Sequence, residues 1–82
     1  MSEIEKVLHD LVLPLVEDKE SITVKNMPSL EENEILLYVY AKPEDIARLI
    51  GRQGSMATAI RQMMSISSRV QNKRVSIKFE SY

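Results

Sequence analysis

The chain places its only two glycines three positions apart, in Gly51-Arg52-Gln53-Gly54, between two segments that both carry helical patterning. Residue types at this spacing suit phosphate binding. Two glycines in a four-residue turn let a ligand come close to the backbone. Amide N–H groups at the start of the following helix sit at the positive end of its dipole, where an anion is stabilised without any reading of bases. Arg52 at the tip adds a fixed charge and a planar fork of donors matched to phosphate oxygens. Gln53 adds polar reach. The tetrad is neither a Walker A loop, which needs a terminal Gly-Lys-Ser/Thr after a strand, nor a dinucleotide fingerprint, which needs a third glycine. On its own, a GxxG also serves as a plain helix-to-helix turn chosen for its dihedrals.

The distribution of charge strengthens the phosphate reading. The formal net charge is -1, but Met1 to Asp45 holds four lysines against eleven carboxylates. Ile46 to Phe79 holds no acid and seven bases: Arg48, Arg52, Arg61, Arg69, Lys73, Arg74 and Lys78. Such an asymmetry sets a positive field around one region while the acidic half keeps the molecule off nonspecific polyanions. The same basic segment also reads as a solvated face without a partner.

Other chemistry is scarce. There is no cysteine, which removes disulfides, thiolate ligands and cysteine nucleophiles. His9 is the sole histidine, on a charged helix face without a nucleophile or carboxylate constellation near it in sequence. The acids of residues 30–34 lack the glycine turn of a cation-binding loop. The expectation is therefore a protein that is not an enzyme, with no catalytic residue, no metal and no cofactor. No long apolar run and no basic, apolar, small-residue leader is present, so no membrane association is expected and the expected compartment is the cytoplasm.

Eighty-two residues suffice for one domain, 1–82, with one small core. Ser2 and Glu5 have the spacing of a capping box, and Ile4, Val7, Leu8, Leu11, Val12, Leu15 and Val16 follow a helical stripe that Pro14 should kink or stop. The run 21–26 alternates, with Ile22 and Val24 on one face, as a half-buried strand does. A polar connection over 27–34 leads to a second strand, 34–41. It is apolar on both faces, with Ile35, Leu37, Val39 and Ala41 on one and Leu36, Tyr38 and Tyr40 on the other, so it should be central or covered. Pro43, Glu44 and Asp45 suit the first turn of a helix that carries Ile46, Leu49 and Ile50 and ends at Gly51. The segment 55–73 starts with Ser55 as a helix cap and presents Met56, Ile60, Met63 and Val70 at helical spacing, with the methionines as core filler. The run 74–80 closes the chain as a strand with Val75, Ile77 and Phe79 facing in. The order α-β-β-α-α-β makes a two-layer α+β domain with helices on one face of a three-stranded mixed sheet.

These residues resemble a K-homology (KH) domain of type II, in which a GXXG loop between two helices clamps about four nucleotides by the backbone. The whole chain is similar to the KhpA family of small stand-alone bacterial KH proteins, over the runs 11–24, 42–61 and 74–80. Carried over by position, the resemblance puts Gly51, Arg52, Gln53 and Gly54 at the clamp and Ile50 at the hydrophobic residue before it. Ala59, Ile60 and Arg61 fall on the Ala-Ile-Arg of the following helix. Two departures stand out: the family often has glycine near Ala47 and a basic residue near Ser55, which implies a weaker hold on phosphate here. The resemblance further implies single-stranded RNA as ligand, a role as RNA chaperone or post-transcriptional regulator, and a homodimer or a heterodimer with a larger KhpB-type KH protein.

The expected site is then a groove walled by Ile46, Ala47 and Ile50 on one side and Ala57 and Ile60 on the other, with Ile46, Ile50 and Ile60 equally suited to the core. Arg48, Ser55 and Arg61 would extend its polar rim. The alternative is a protein-interaction subunit with little RNA binding of its own, docking through the strand face around Tyr38 and Tyr40 or through the third helix.

Overall fold

The fold is taken from a computed structural model, which describes residues 3–29, 31–69 and 74–82, with the side chains of 67–69 outside that description. Ser2 of the expected capping box and Val70 of the third-helix stripe lie outside the described residues, as does Lys73. The elements run α1 (Glu3–Val12), β1 (Thr23–Met27), β2 (Glu34–Ala41), α2 (Pro43–Ile50), α3 (Ser55–Arg69) and β3 (Arg74–Ser81), with single 3-10 turns at Leu13–Leu15, Lys19–Ser21 and Arg52–Gly54. This is the expected α-β-β-α-α-β order.

The sheet order is β1-β2-β3, with β2 central. β1 pairs antiparallel with β2, Lys25 opposite Tyr38, and β3 pairs parallel with β2, Ile77 opposite Leu37. A parallel pair needs a long crossover, and α2 with α3 supplies it. The period-2 pattern of β2 decides which face meets the helices: Ile35, Leu37, Val39 and Ala41 are buried, while Leu36, Tyr38 and Tyr40 are half-buried on the other side. Ile22, Val24 and Ile77 extend the buried face, and Ile4, Leu8, Val12, Ile46, Leu49, Ile60 and Met64 close over it from the helices.

Pro14 ends α1 at Val12 and turns the chain through a 3-10 turn, yet Val16 still reaches the core at 4% exposure. The α3 stripe differs from the expected one. Met64, not Met63, fills the core, and Met63 is 55% exposed. Counting Ala57 as a core position selects this answer, because 57, 60 and 64 share one helical face whereas 63 lies off it.

Candidate nucleic-acid interface

α2 starts on Pro43, whose missing N–H is no loss in a first turn, and the carbonyl of Lys42 accepts from the amides of Asp45 and Ile46, both at 2.9 Å. It ends where the Gly51 amide donates to the Ala47 carbonyl at 3.0 Å. Gly51 has φ 75° and ψ 179°, a region open in practice only to glycine. A Cβ there would lie 2.8 Å from the Met56 Cβ and 2.9 Å from its backbone nitrogen. Gly51 is thus fixed by local packing as well as by its dihedrals.

Gly54 differs. Its φ is also positive, at 77°, but a Cβ added there would meet nothing within 4 Å. Between the glycines, Gln53 holds φ 55° and ψ 28°, a left-handed conformation unusual for a residue with a side chain. Three of the four residues in the tetrad therefore have positive φ, and the sequence pointed only to the two glycines. The resulting turn lifts Arg52 and Gln53 into solvent at the junction of α2 and α3.

The amides of this turn divide into two groups. Gly54 N–H donates to the Gly51 carbonyl at 3.3 Å, and Ser55 N–H donates to the Arg52 carbonyl. Those two face the protein's own backbone. The amides of Arg52 and Gln53 have no protein acceptor among the described residues. Ser55 has helical dihedrals, φ -61° and ψ -41°, and is the first residue of α3 instead of the extended cap expected for it. The Thr58 hydroxyl donates to the Gly54 carbonyl at 3.0 Å, tying the turn to the helix.

The structure sorts the other expected site residues. Ala47, Ile50 and Ser55 are exposed beside the turn, Ile50 at 39%. Ile46, Ala57 and Ile60 belong to the core, at 9%, 3% and 2% exposure, so they do not wall a groove. Arg48 is exposed but engaged by neighbouring carboxylates. Its guanidinium donates to Asp45 Oδ1 at 2.7 Å and lies 3.4 Å from Glu17 Oε2. Arg61 donates to the Ile77 carbonyl at 3.3 Å and rests 5.7 Å from the centre of the Phe79 ring. Both arginines were expected at a free rim, and both have intramolecular partners. Arg52 is the arginine of this region with no such partner among the described residues.

Asp45 was legible only as an acid in a first helical turn. In the fold it is 2% exposed, and its carboxylate accepts from the amides of Glu17 at 2.9 Å and Asp18 at 3.1 Å. Those two amides, with the Arg48 guanidinium, hold its carboxyl below the ordinary value of 3.8 against the opposing effect of burial. It therefore locks the start of α2 to the segment that follows α1. No group of three or more metal-ligating side chains occurs among the described residues.

A helix–Gly-Arg-Gln-Gly–helix turn beside a β-β-α-α-β sheet matches a known family. The family model described as "KhpA/KhpB, KH domain" matches residues 5–79. The chain belongs to this KH-domain family. Its fold is accordingly the type II KH fold, α+β, with a three-stranded mixed sheet. Relatives named RNA-binding protein KhpA include one from Lactiplantibacillus plantarum, 40% identical over 81 residues, covering 98% of this chain and 92% of that one. Another, from Clostridium perfringens, is 34% identical over 64 residues, covering 78% of this chain and 83% of that one. Among solved structures, Era from Aquifex aeolicus bound to GDP and aluminium fluoride shares the fold with a TM-score of 0.65 at 15% identity. That match covers 95% of this KH chain but only 29% of Era. No helix among the described residues is long and apolar enough to cross a membrane.

Proposed function

We propose that this chain binds single-stranded RNA in the cytoplasm, holding the phosphate backbone of a short segment at Gly51-Arg52-Gln53-Gly54. The observation that carries the reading is the turn itself. Positive φ at Gly51, Gln53 and Gly54 raises Arg52 and Gln53 off the protein, and their amides lack protein acceptors among the described residues. The direction a Cβ would take at Gly54 leads into open space, so a strand can approach the backbone from that side. Two amides and one guanidinium then converge on phosphate oxygens near the start of α3. Ala47, Ile50 and Ser55 flank this contact, and bases rest against the apolar pair. Arg48 and Arg61, held by their own partners, add field more than direct contact.

With few phosphates held, one module binds weakly and depends on salt. Three phosphates at about 0.7 each give roughly a twentyfold loss of affinity from ~50 to ~200 mM salt. The decisive variant is Arg52→Asp with Gln53→Asp. Both side chains are exposed, and aspartate tolerates the left-handed backbone at 53. Circular dichroism and the melting temperature should stay near wild type while retention of a single-stranded RNA oligomer falls well below the wild-type level. Full retention by the folded double variant would refute the clamp.

A second reading accompanies the first, because Met63 and Ile66 are 55% and 67% exposed, one helical turn apart on α3. Two large apolar side chains in solvent favour a contact with a second KH copy or with a KhpB-type KH protein. Dimerisation places two weak clamps on one RNA, and their avidity suits a chaperone or post-transcriptional regulator.

A further inference from the structure

The face of the sheet turned away from the helices has no element over it among the described residues, and its side chains form an ordered array. Register places Lys25 on β1 and Lys78 on β3 on either side of Tyr38. Along β2 the rings of Tyr38 and Tyr40 lie 6.0 Å apart at 25°. The series continues to Tyr82, 6.2 Å from Tyr40 at 27°. Tyr82 is held there: its amide donates to the Ala41 carbonyl at 3.1 Å, and its hydroxyl meets Thr23 Oγ1 at 2.8 Å. Lys25 Nζ sits 5.7 Å from the centre of the Tyr40 ring. Local spacing does not pair these lysines with the tyrosines, because Lys25 and Lys78 are far from Tyr38 along the chain.

We infer that the Tyr38, Tyr40 and Tyr82 array, flanked by Lys25 and Lys78, is a second surface for single-stranded nucleic acid. Consecutive bases stack on the near-parallel rings, and the two lysines meet the phosphates. Sequence-tolerant stacking of this kind needs ring faces and flanking cations but no base-edge donors, and that is the chemistry present. Glu80, opposite Tyr40, is the acid of this array and biases the phosphates toward the Lys25–Tyr38–Lys78 row. The surface lies on the opposite layer from the Gly51–Gly54 turn. One chain then engages two segments of RNA, or both sides of a bend in one strand. The occupant committed to is nucleic acid, on charge complementarity; a second copy of the chain is the rival that the test separates.

The array contains every tyrosine in the protein. Incorporated 3-fluorotyrosine therefore reports on this face alone by 19F NMR, while 15N amide shifts at residues 51–54 report on the turn. The probe is a mixed-sequence single-stranded RNA oligomer at saturating concentration. The inference expects 19F shifts in the wild-type chain and in Arg52→Asp/Gln53→Asp alike. It expects Lys25→Glu/Lys78→Glu to lose the 19F shifts, keep the melting temperature, and bind with a salt slope shallower by about 1.4. Amide shifts at the turn with silent tyrosines would overturn the second surface and leave the clamp intact. Tyrosine shifts with a silent turn would support the surface and remove the clamp. Tyrosine lines that move with protein concentration and ignore RNA would assign the face to a second copy and overturn the inference.

Discussion

At the scale of single residues, the two glycines of the turn do different work although they look equivalent in the sequence. Gly51 is closed in, with Met56 atoms 2.8 and 2.9 Å from where a Cβ would stand and a glycine-only conformation besides. Gly54 faces open space and carries only the cost of positive φ, about 1–2 kcal/mol for an L-residue in the left-handed region. Gly51→Ala should therefore lower the melting temperature markedly, because the start of α3 must shift to admit the methyl group. Gly54→Ala should cost about 1–2 kcal/mol, remain folded, and weaken RNA binding severalfold, since the methyl group stands where the strand approaches. Thermal melts of both variants, with RNA affinity measured on the folded fraction, check this ordering. Equal destabilisation by the two would contradict the packing difference.

At the scale of elements, what positions the turn is α2, and what positions α2 is Asp45. Its carboxylate accepts from the amides of Glu17 and Asp18, 28 and 27 residues earlier in the chain. A group whose pKa is lowered by folding adds stability that is complete above its ordinary value and lost as pH falls through its folded value. For Asp45 the window lies below 3.8. Asp18, lowered chiefly by its hydrogen bond from Lys42, acts over the same window. Glu34, lowered chiefly by the Ser29 hydroxyl, acts below 4.5. The melting temperature should thus fall as pH drops from 5 toward 2. Asp45→Asn replaces one accepting oxygen with an amide that opposes an N–H donor, so it should melt lower at pH 7 and change less between pH 4 and 2. A pH profile parallel to wild type would remove Asp45 from this role. Strands and helices were legible because their periods of 2 and 3.6 are local, as in Ile35–Ala41 and Ile4–Val12. The engagement of Arg48 by Asp45 and Glu17, of Arg61 by the Ile77 carbonyl, and the pairing of Lys25 and Lys78 about Tyr38 depend on register and crossover. Local spacing does not carry these. Met64 was within reach, had Ala57 been counted among the core positions.

At the scale of the whole molecule, 82 residues bury one small core, and a chain of this size gains much from covering apolar surface with a partner. The helical layer offers such surface at Met63 and Ile66, which point away from the core that Ile60 and Met64 fill. Both side chains are more than half exposed, so replacing both with glutamate should change the melt of an isolated chain little. On the proposed pairing of two copies through α3, Met63→Glu/Ile66→Glu should shift the mass by light scattering from that of a dimer to the monomer value of 9.4 kDa. Because the turn is distant in function from this pair, the variant's clamp should survive while avidity is lost, giving RNA binding weaker by tenfold or more on long RNA and unchanged on an oligomer that fills one site. If the wild-type chain already runs as a monomer at ~100 μM, α3 does not pair identical copies at affinities that matter for a self-associated RNA binder. The exposed pair would then be left to a larger KH partner, and pull-down of a KhpB-type protein by the wild type but not the double variant would be the corresponding readout.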